Sequence, residues 1–540
     1  MATVAQYLID RIRSYGTEHI FGVPGDFVLT FFKRLEDSPL KVVNTCDEQG
    51  AGFAADVYGR IRGLGVVVVT YTVGGFKVVN TTAEAFAEKS PVLIISGAPG
   101  IKERANDPLL HHRVNTFDTQ KSVFEHITAA SAIINSPHTA AAEIDRLLHI
   151  ATTRKRPVYL ELPRDMVDME ITPSLTPVEL APEADPLVLH EAINELEERV
   201  NTAQHPVILA GVEIHRFRLQ PLLLKFAEKT QIPVATTILG KSVIPESHPL
   251  YMGVYEGAMS RPGIQAYMEK SDCVLMLGAL RTDINLGIYT SHFEESRVIS
   301  VSQERTSMGF HQYEHISIKD VMAGLANATL KRRPTPEIPR PQKPATFLAE
   351  DKQVSVNRMF ECLNHMITGQ HIILADPGDA LFGAAQLVIE HETRFIAPAY
   401  YASLGFSVPG SIGAQLALPK RRTICLVGDG AFQMTGMELS TSIRFGLNPI
   451  VVILNNNGYG TERPMLDGPF NDVLNWHYEK ICEVLGSGTG IQATSEKDFQ
   501  QAMQTALADD TQLYIINVHL NDRDISEPLK QLTEALGKKV

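Results

Sequence analysis

The chain has 540 residues, 44% hydrophobic and 21% charged, with 49 Lys+Arg against 62 Asp+Glu for a net charge of −13. That length is too great for one core, and that composition excludes disordered, collagenous and coiled-coil classes. The acidic balance argues against nucleic acid or an anionic membrane as the main partner, and no apolar run approaches the ~20 residues of a membrane helix.

The elements read in chain order as alternating strands and helices. Apolar residues at helical spacing open the chain, and the first residues lack the basic and apolar regions of a secretory signal. Ile20-Phe21 runs into a strand-to-helix turn, Gly22-Val-Pro-Gly25-Asp26. Strand-like runs follow at Lys41–Asn44, Val66–Thr70, Val92–Ser96, Val207–Ala210, Val274–Leu277, Ile372–Ala375, Ile424–Val427 and Ile450–Leu454. Continuous apolar strands separated by helices imply parallel sheets covered on both faces. Ile525, Leu529, Leu532 and Leu536 have the spacing of a final helix. Two proline-rich connectors, Thr172–Pro186 and Lys331–Pro344, divide the chain into three α/β segments at 1–180, 187–330 and 346–540. The expected fold is therefore three doubly wound parallel-sheet domains. The five cysteines are scattered with no metal or redox spacing, which suits a reducing cytoplasm.

The chemistry concentrates in the third segment. Ile424-Cys-Leu-Val-Gly428-Asp429-Gly430-Ala431 is a buried strand entering a Gly-Asp-Gly turn. Asn456 stands 27 residues after Asp429, at the end of the strand-like Ile450–Leu454 run, in Asn455-Asn456-Asn457-Gly458. A carboxylate and an amide at two parallel strand tips offer oxygen ligands suited to Mg²⁺ with phosphate partners. The glycines let backbone N–H groups approach the phosphates. In the first segment, Glu48 follows a strand and opens a helix of small residues, Gln49-Gly-Ala-Gly-Phe-Ala-Ala. Taken alone, it reads as a helix-start carboxylate favoured by the macrodipole. His111 and His112 are adjacent in a loop-like stretch after Gly97-Ala-Pro-Gly100, and Glu462 follows Gly458-Tyr459-Gly460-Thr461. Adjacent histidines cannot share one face of a regular helix or strand.

Together these motifs resemble the thiamine-diphosphate (ThDP) dependent 2-oxo acid decarboxylases, the pyruvate, indolepyruvate, phenylpyruvate and branched-chain 2-oxo acid enzymes, from end to end of the chain. The resemblance implies pyrimidine-binding, central Rossmann-like and diphosphate-binding domains in that order. It implies Asp429, Asn456 and the Gly458 carbonyl as Mg²⁺ ligands, with Gly428, Gly430, Ala431 and Tyr459 beside the diphosphate. It assigns Glu48 to N1′ of the aminopyrimidine, Asp26 and Glu462 to protonation and product release, and His111 and His112 to binding and proton relay. Leu404 would bend the cofactor, Ala402 would offer its carbonyl to the 4′-amine, and Gly378-Asp379 would form the cofactor-side loop. The implied reaction is non-oxidative loss of CO₂ from a 2-oxo acid through the ThDP ylid, giving an aldehyde. A cytoplasmic homodimer or homotetramer with sites at the subunit interface is implied too.

Thr461 stands where pyruvate-preferring relatives carry isoleucine, and Leu381, beside Phe382, where relatives often carry an aromatic. Both point to a roomier pocket and to bulky 2-oxo acids over pyruvate. Three residues depart from the family pattern. Thr72 replaces a common glycine, Glu84 a small residue, and Asp379 a threonine near the diphosphate. The alternatives are a carboligase of the acetolactate synthase kind, which the adjacent histidines oppose, and a non-catalytic paralogue, which those three departures leave open.

Overall fold

A computed structural model describes residues 2–171, 184–343, 346–390 and 394–537. Its strands form three sheets. The first contains β1 (His19–Gly22), β2 (Lys41–Asn44), β3 (Gly65–Val69), β4 (Val92–Ala98), β5 (Ser131–Ile133) and β6 (Val158–Pro163). The second contains β7 (Pro206–Ala210), β8 (Val234–Thr236), β9 (Tyr251–Val254), β10 (Cys273–Leu277), β11 (Val298–Val301), β12 (Thr306–Met308) and β13 (His311–Tyr313). The third contains β14 (His371–Ala375), β15 (Arg394–Ile396), β16 (Arg422–Gly428), β17 (Ile450–Asn455), β18 (Thr489–Ala493) and β19 (Tyr514–His519).

The first and third sheets share one topology. Their orders, β2-β1-β3-β4-β6-β5 and β15-β14-β16-β17-β19-β18, are the same once counted from each sheet's first strand. Every pairing in both is parallel. Both reverse direction between β1 and β3 and between β14 and β16, where an open parallel sheet forms a ligand crevice at the carboxyl ends of its strands. The second sheet, β13-β12-β11-β10-β7-β8-β9, departs from the all-parallel expectation. Short β12 and β13 close its edge as an antiparallel hairpin beside β11.

Sequence explains these elements locally. All five residues of β3, Gly-Val-Val-Val-Val, are buried, as a strand covered on both faces requires. The helix Glu48–Arg62 starts at Asp47, whose side chain accepts the Gln49 N–H, and stops at Gly63 with φ 110°. Its small residues let it lie against the helix Ser407–Ala417, where a Cβ at Gly413 would stand 1.9 Å from the Ala54 carbonyl. One apolar cluster thus runs from Phe21 and Phe53 to Val408 and Phe432, joining the first and third sheets. Of the connectors, the first lies outside the described residues from 172 to 183, and Pro186 already begins a helix. Residues 331–343 of the second have neither helix nor strand, and Pro344 lies outside the described residues.

Candidate active site

The third sheet's reversal point opens into a cavity of about 350 Å³. The loop after β14 brings Gly378, Asp379, Leu381 and Phe382 to its wall, and the turn after β16 brings Gly428, Asp429, Gly430 and Ala431. The segment after β17 brings Asn456, Gly458, Tyr459, Thr461 and Glu462, and the loop before Ser407 brings Ala402 and Leu404. These expected residues, separate in sequence, therefore share one wall.

Asp429 is the electrostatic centre. Its carboxylate is fully buried and accepts the backbone N–H groups of Gly430 at 2.8 Å and Gly458 at 3.0 Å. No ion pair reaches it among the described residues, and burial pushes its carboxyl up to about 6. A buried carboxylate fixed by two amides, with the Asn456 side-chain amide on the same cavity wall, fits a hard cation. Gly430 leaves room for Tyr459, whose ring would lie 2.7 Å from an added Cβ. Nothing lies within 4 Å of a Cβ built on Gly428, so that backbone faces open space. Such a glycine-lined cradle beside a cation site fits a diphosphate.

Asp379 is the like charge expected to oppose a diphosphate. Burial pushes its carboxyl up to about 7, while both its oxygens accept the Ser526 N–H at 3.1 Å. It is therefore partly neutral near pH 7 and anchors the start of the last helix, Glu527–Gly537. Leu532 and Leu536 of that helix, with Met465, Leu520 and Ile288, form apolar walls that the sequence motifs did not point to. The loop Ala397–Gly405 is held by Asp376, whose Oδ1 accepts the Gly405 and Phe406 N–H groups at 2.6 and 3.1 Å. Its Oδ2 accepts the Ser407 N–H at 2.8 Å.

Four expected residues do not line this cavity. Asp26, His111 and His112 gather at the first sheet's reversal point, with Asp26 on the loop after β1. His111 Nε2 lies 2.6 Å from Asp26 Oδ2, and His112 Nε2 lies 3.8 Å from Asp26 Oδ1. Phe27 stacks on the His111 ring at 4.7 Å. The adjacent histidines converge because His112 takes φ 67°, which no regular element allows. Glu48 stands at the head of its helix, 9% exposed, with Lys77 Nζ 3.1 Å from its Oε2. Glu462 belongs to the cavity group rather than to the histidines. Within one chain, the expected site is thus divided between two crevices.

Comparison with known proteins covers the whole of this arrangement. Residues 2–123, 193–328 and 376–518 match the models for the N-terminal TPP binding domain, the central domain and the C-terminal TPP binding domain of thiamine pyrophosphate enzymes. The chain is 34% identical to an indole-3-pyruvate decarboxylase of Azospirillum brasilense, covering 98% of each chain. It is 31% identical to pyruvate decarboxylase isozyme 2 of Saccharomyces cerevisiae, covering 99% of each. It is also 31% identical to an alpha-keto-acid decarboxylase of Mycobacterium tuberculosis, covering 99% of this chain and 97% of the relative.

Proposed function

The chain belongs to the thiamine pyrophosphate enzyme family, and we propose that it decarboxylates bulky 2-oxo acids to aldehydes at a site shared between two subunits. The observation that carries the reading is the buried, unpaired Asp429 beside Asn456 and Gly458 in a glycine-lined cavity. Asp429, Asn456 and the Gly458 carbonyl hold Mg²⁺, and Gly428, Gly430, Ala431 and Tyr459 receive the diphosphate. Thiamine diphosphate supplies, when bound, a carbon nucleophile and an electron sink for loss of CO₂. Gly378, Asp379, Ala402 and Leu404 orient it, while Met465, Leu532 and Leu536 keep water from the reacting carbon.

Glu48 holds a proton at the pyrimidine ring. Asp26, His111, His112 and Glu462 deliver and remove protons at the substrate carbons and oxygens, a task that suits imidazoles near neutral pH. The division of these groups between two crevices supports a homodimer in which Glu48 and the histidines of one subunit complete the cavity of the other. A tetramer of two such pairs is compatible with this arrangement. The domain limits are proposed at 1–180, 187–330 and 346–540. The free cysteines support a cytoplasmic placement, and no described helix is long and apolar enough to cross a membrane.

Thr461 and Leu381 line the cavity and support a preference for phenylpyruvate, indolepyruvate or branched and longer aliphatic 2-oxo acids. A comparison of kcat/KM for phenylpyruvate and pyruvate, with ThDP and Mg²⁺ added, tests the preference. The expected ratio favours phenylpyruvate, and a clear preference for pyruvate overturns that part of the reading.

A further inference from the structure

We propose that Thr72 is a positioning residue for the His111–His112 pair. Its hydroxyl holds the backbone turn that aims both imidazoles at Asp26. The proposal deepens the reading of Asp26, His111 and His112 as proton-handling groups and rests on it.

Thr72 follows β3 at the first sheet's reversal point and is buried, with φ 44°. A β-branched residue in the left-handed region is an outlier that glycine would avoid. Its main chain is tied on both sides. The N–H donates to Gln120 Oε1 at 2.6 Å, and the carbonyl accepts the Phe76 N–H at 2.7 Å. Gln120 is fixed in turn, since its amide nitrogen donates to Ser96 Oγ at 2.7 Å and to the Tyr159 hydroxyl at 2.6 Å. The Tyr159 hydroxyl donates to Glu161 at 3.0 Å, and Arg104 closes the network on Glu161 at 2.7 Å. This network holds the Thr72 backbone and leaves its hydroxyl to donate to the His112 carbonyl.

His112 is itself left-handed, so that hydrogen bond joins two strained residues. Successive side chains of an ordinary backbone diverge. Here the turn at His112 brings the two rings to 4.8 Å from each other, both against Asp26. The charged groups around them are Asp26, Arg164 near Asp26, and Glu103, which pairs with Arg164 and faces His111. The Thr72 hydroxyl bonds the His112 backbone rather than a ring, so its contribution is to the direction in which the rings point. Strain at a functional turn persists where surrounding structure over-determines it, and the buried Gln120 network supplies that support.

The test compares Thr72→Val, which keeps the shape without the hydroxyl, with Thr72→Ser, which keeps the hydroxyl. Thr72→Gly accepts the backbone angle without either, and serves if the valine variant fails to fold. Two readouts are needed. The first is the titration of the histidine Cε1 resonances in the full-length protein without cofactor, assigned through His111→Gln and His112→Gln. The second is the pH profile of kcat on phenylpyruvate. A misplaced catalytic group costs up to about 100-fold. Valine and glycine are expected to shift both histidine titrations and to lower kcat by ~10–100-fold with KM little changed, and serine is expected to restore wild-type behaviour. Wild-type titrations and pH profile in the valine or glycine variant overturn the proposal. An inactive wild-type enzyme would sink the decarboxylase reading instead, while the titrations would still decide the role of Thr72.

Discussion

Glu438 accepts the backbone N–H of Asp47 at 2.9 Å, one residue before Glu48 and 391 positions away in the chain. Its other oxygen accepts the Cys46 N–H at 3.1 Å, and Gly50 is bare because a Cβ there would lie 2.1 Å from Glu438 Oε1. The third sheet's side of the molecule thus fixes the start of the helix that presents Glu48. Replacing Glu438 with Gln turns one accepting oxygen into a donor facing a half-buried N–H. We expect a loss of about 1–3 kcal/mol in denaturant unfolding and weaker ThDP binding.

Asp429 is expected to govern cofactor retention. Removing even an outer partner of a metal ligand costs ~10–100-fold in affinity. Asp429→Ala should therefore raise the apparent Kd for ThDP by at least ~100-fold in a Mg²⁺-containing fluorescence titration. Its far-UV circular dichroism should stay that of the folded chain.

Glu84 makes stability depend on pH. It is fully buried beside Glu88 and Asp56, with Arg60 at 3.7 Å and, among the described residues, no hydrogen-bond partner for either oxygen. Burial first, then the Glu88 and Asp56 charges, raises its carboxyl well above the usual 4.5. A raised folded value means that stability is fully present below the unfolded value of 4.5 and is lost as pH rises through the folded one. Thermal melts should show wild-type stability falling as pH rises from 4.5 toward the folded value, by up to about 1.4 kcal/mol per pH unit, and levelling off above it. Glu84→Gln, which cannot ionise, should flatten the slope.

Thr461 should set substrate size. Thr461→Ile adds bulk to the cavity wall and is expected to move the pyruvate-to-phenylpyruvate ratio of kcat/KM toward pyruvate by ~10–200-fold. An unchanged ratio would place the size filter elsewhere on the wall.

The division of the site between subunits predicts complementation. Glu48→Gln and Asp429→Ala chains are each expected to be inactive alone. When they are mixed by co-expression, each heterodimer carries one site with both residues intact. About a quarter of wild-type activity should return if subunits pair at random in symmetric dimers. Recovery of no activity would mean that both residues act within one chain.

The strands and turns were legible because continuous apolar runs such as Val66–Val69 and the Gly428-Asp429-Gly430 turn carry their own signals. Other features depended on long-range packing. Nothing in the spacing of Leu532 and Leu536 says that they close a cavity formed by residues near 380 and 430. The convergence of His111 and His112 needed a left-handed residue that the sequence does not mark. Glu438 and Lys77 beside the Glu48 helix were unmarked, because one is far away in the chain and the other stands in no motif. The edge hairpin of β12 and β13 was missed because each strand has only three residues.

The central claim is tested most directly by aldehyde release, followed with a coupled alcohol dehydrogenase on phenylpyruvate, beside a Glu48→Gln control. Turnover that requires both ThDP and Mg²⁺ and collapses in the control is the predicted result. Absence of turnover on phenylpyruvate, pyruvate and 4-methyl-2-oxopentanoate, despite measurable ThDP binding, would contradict it.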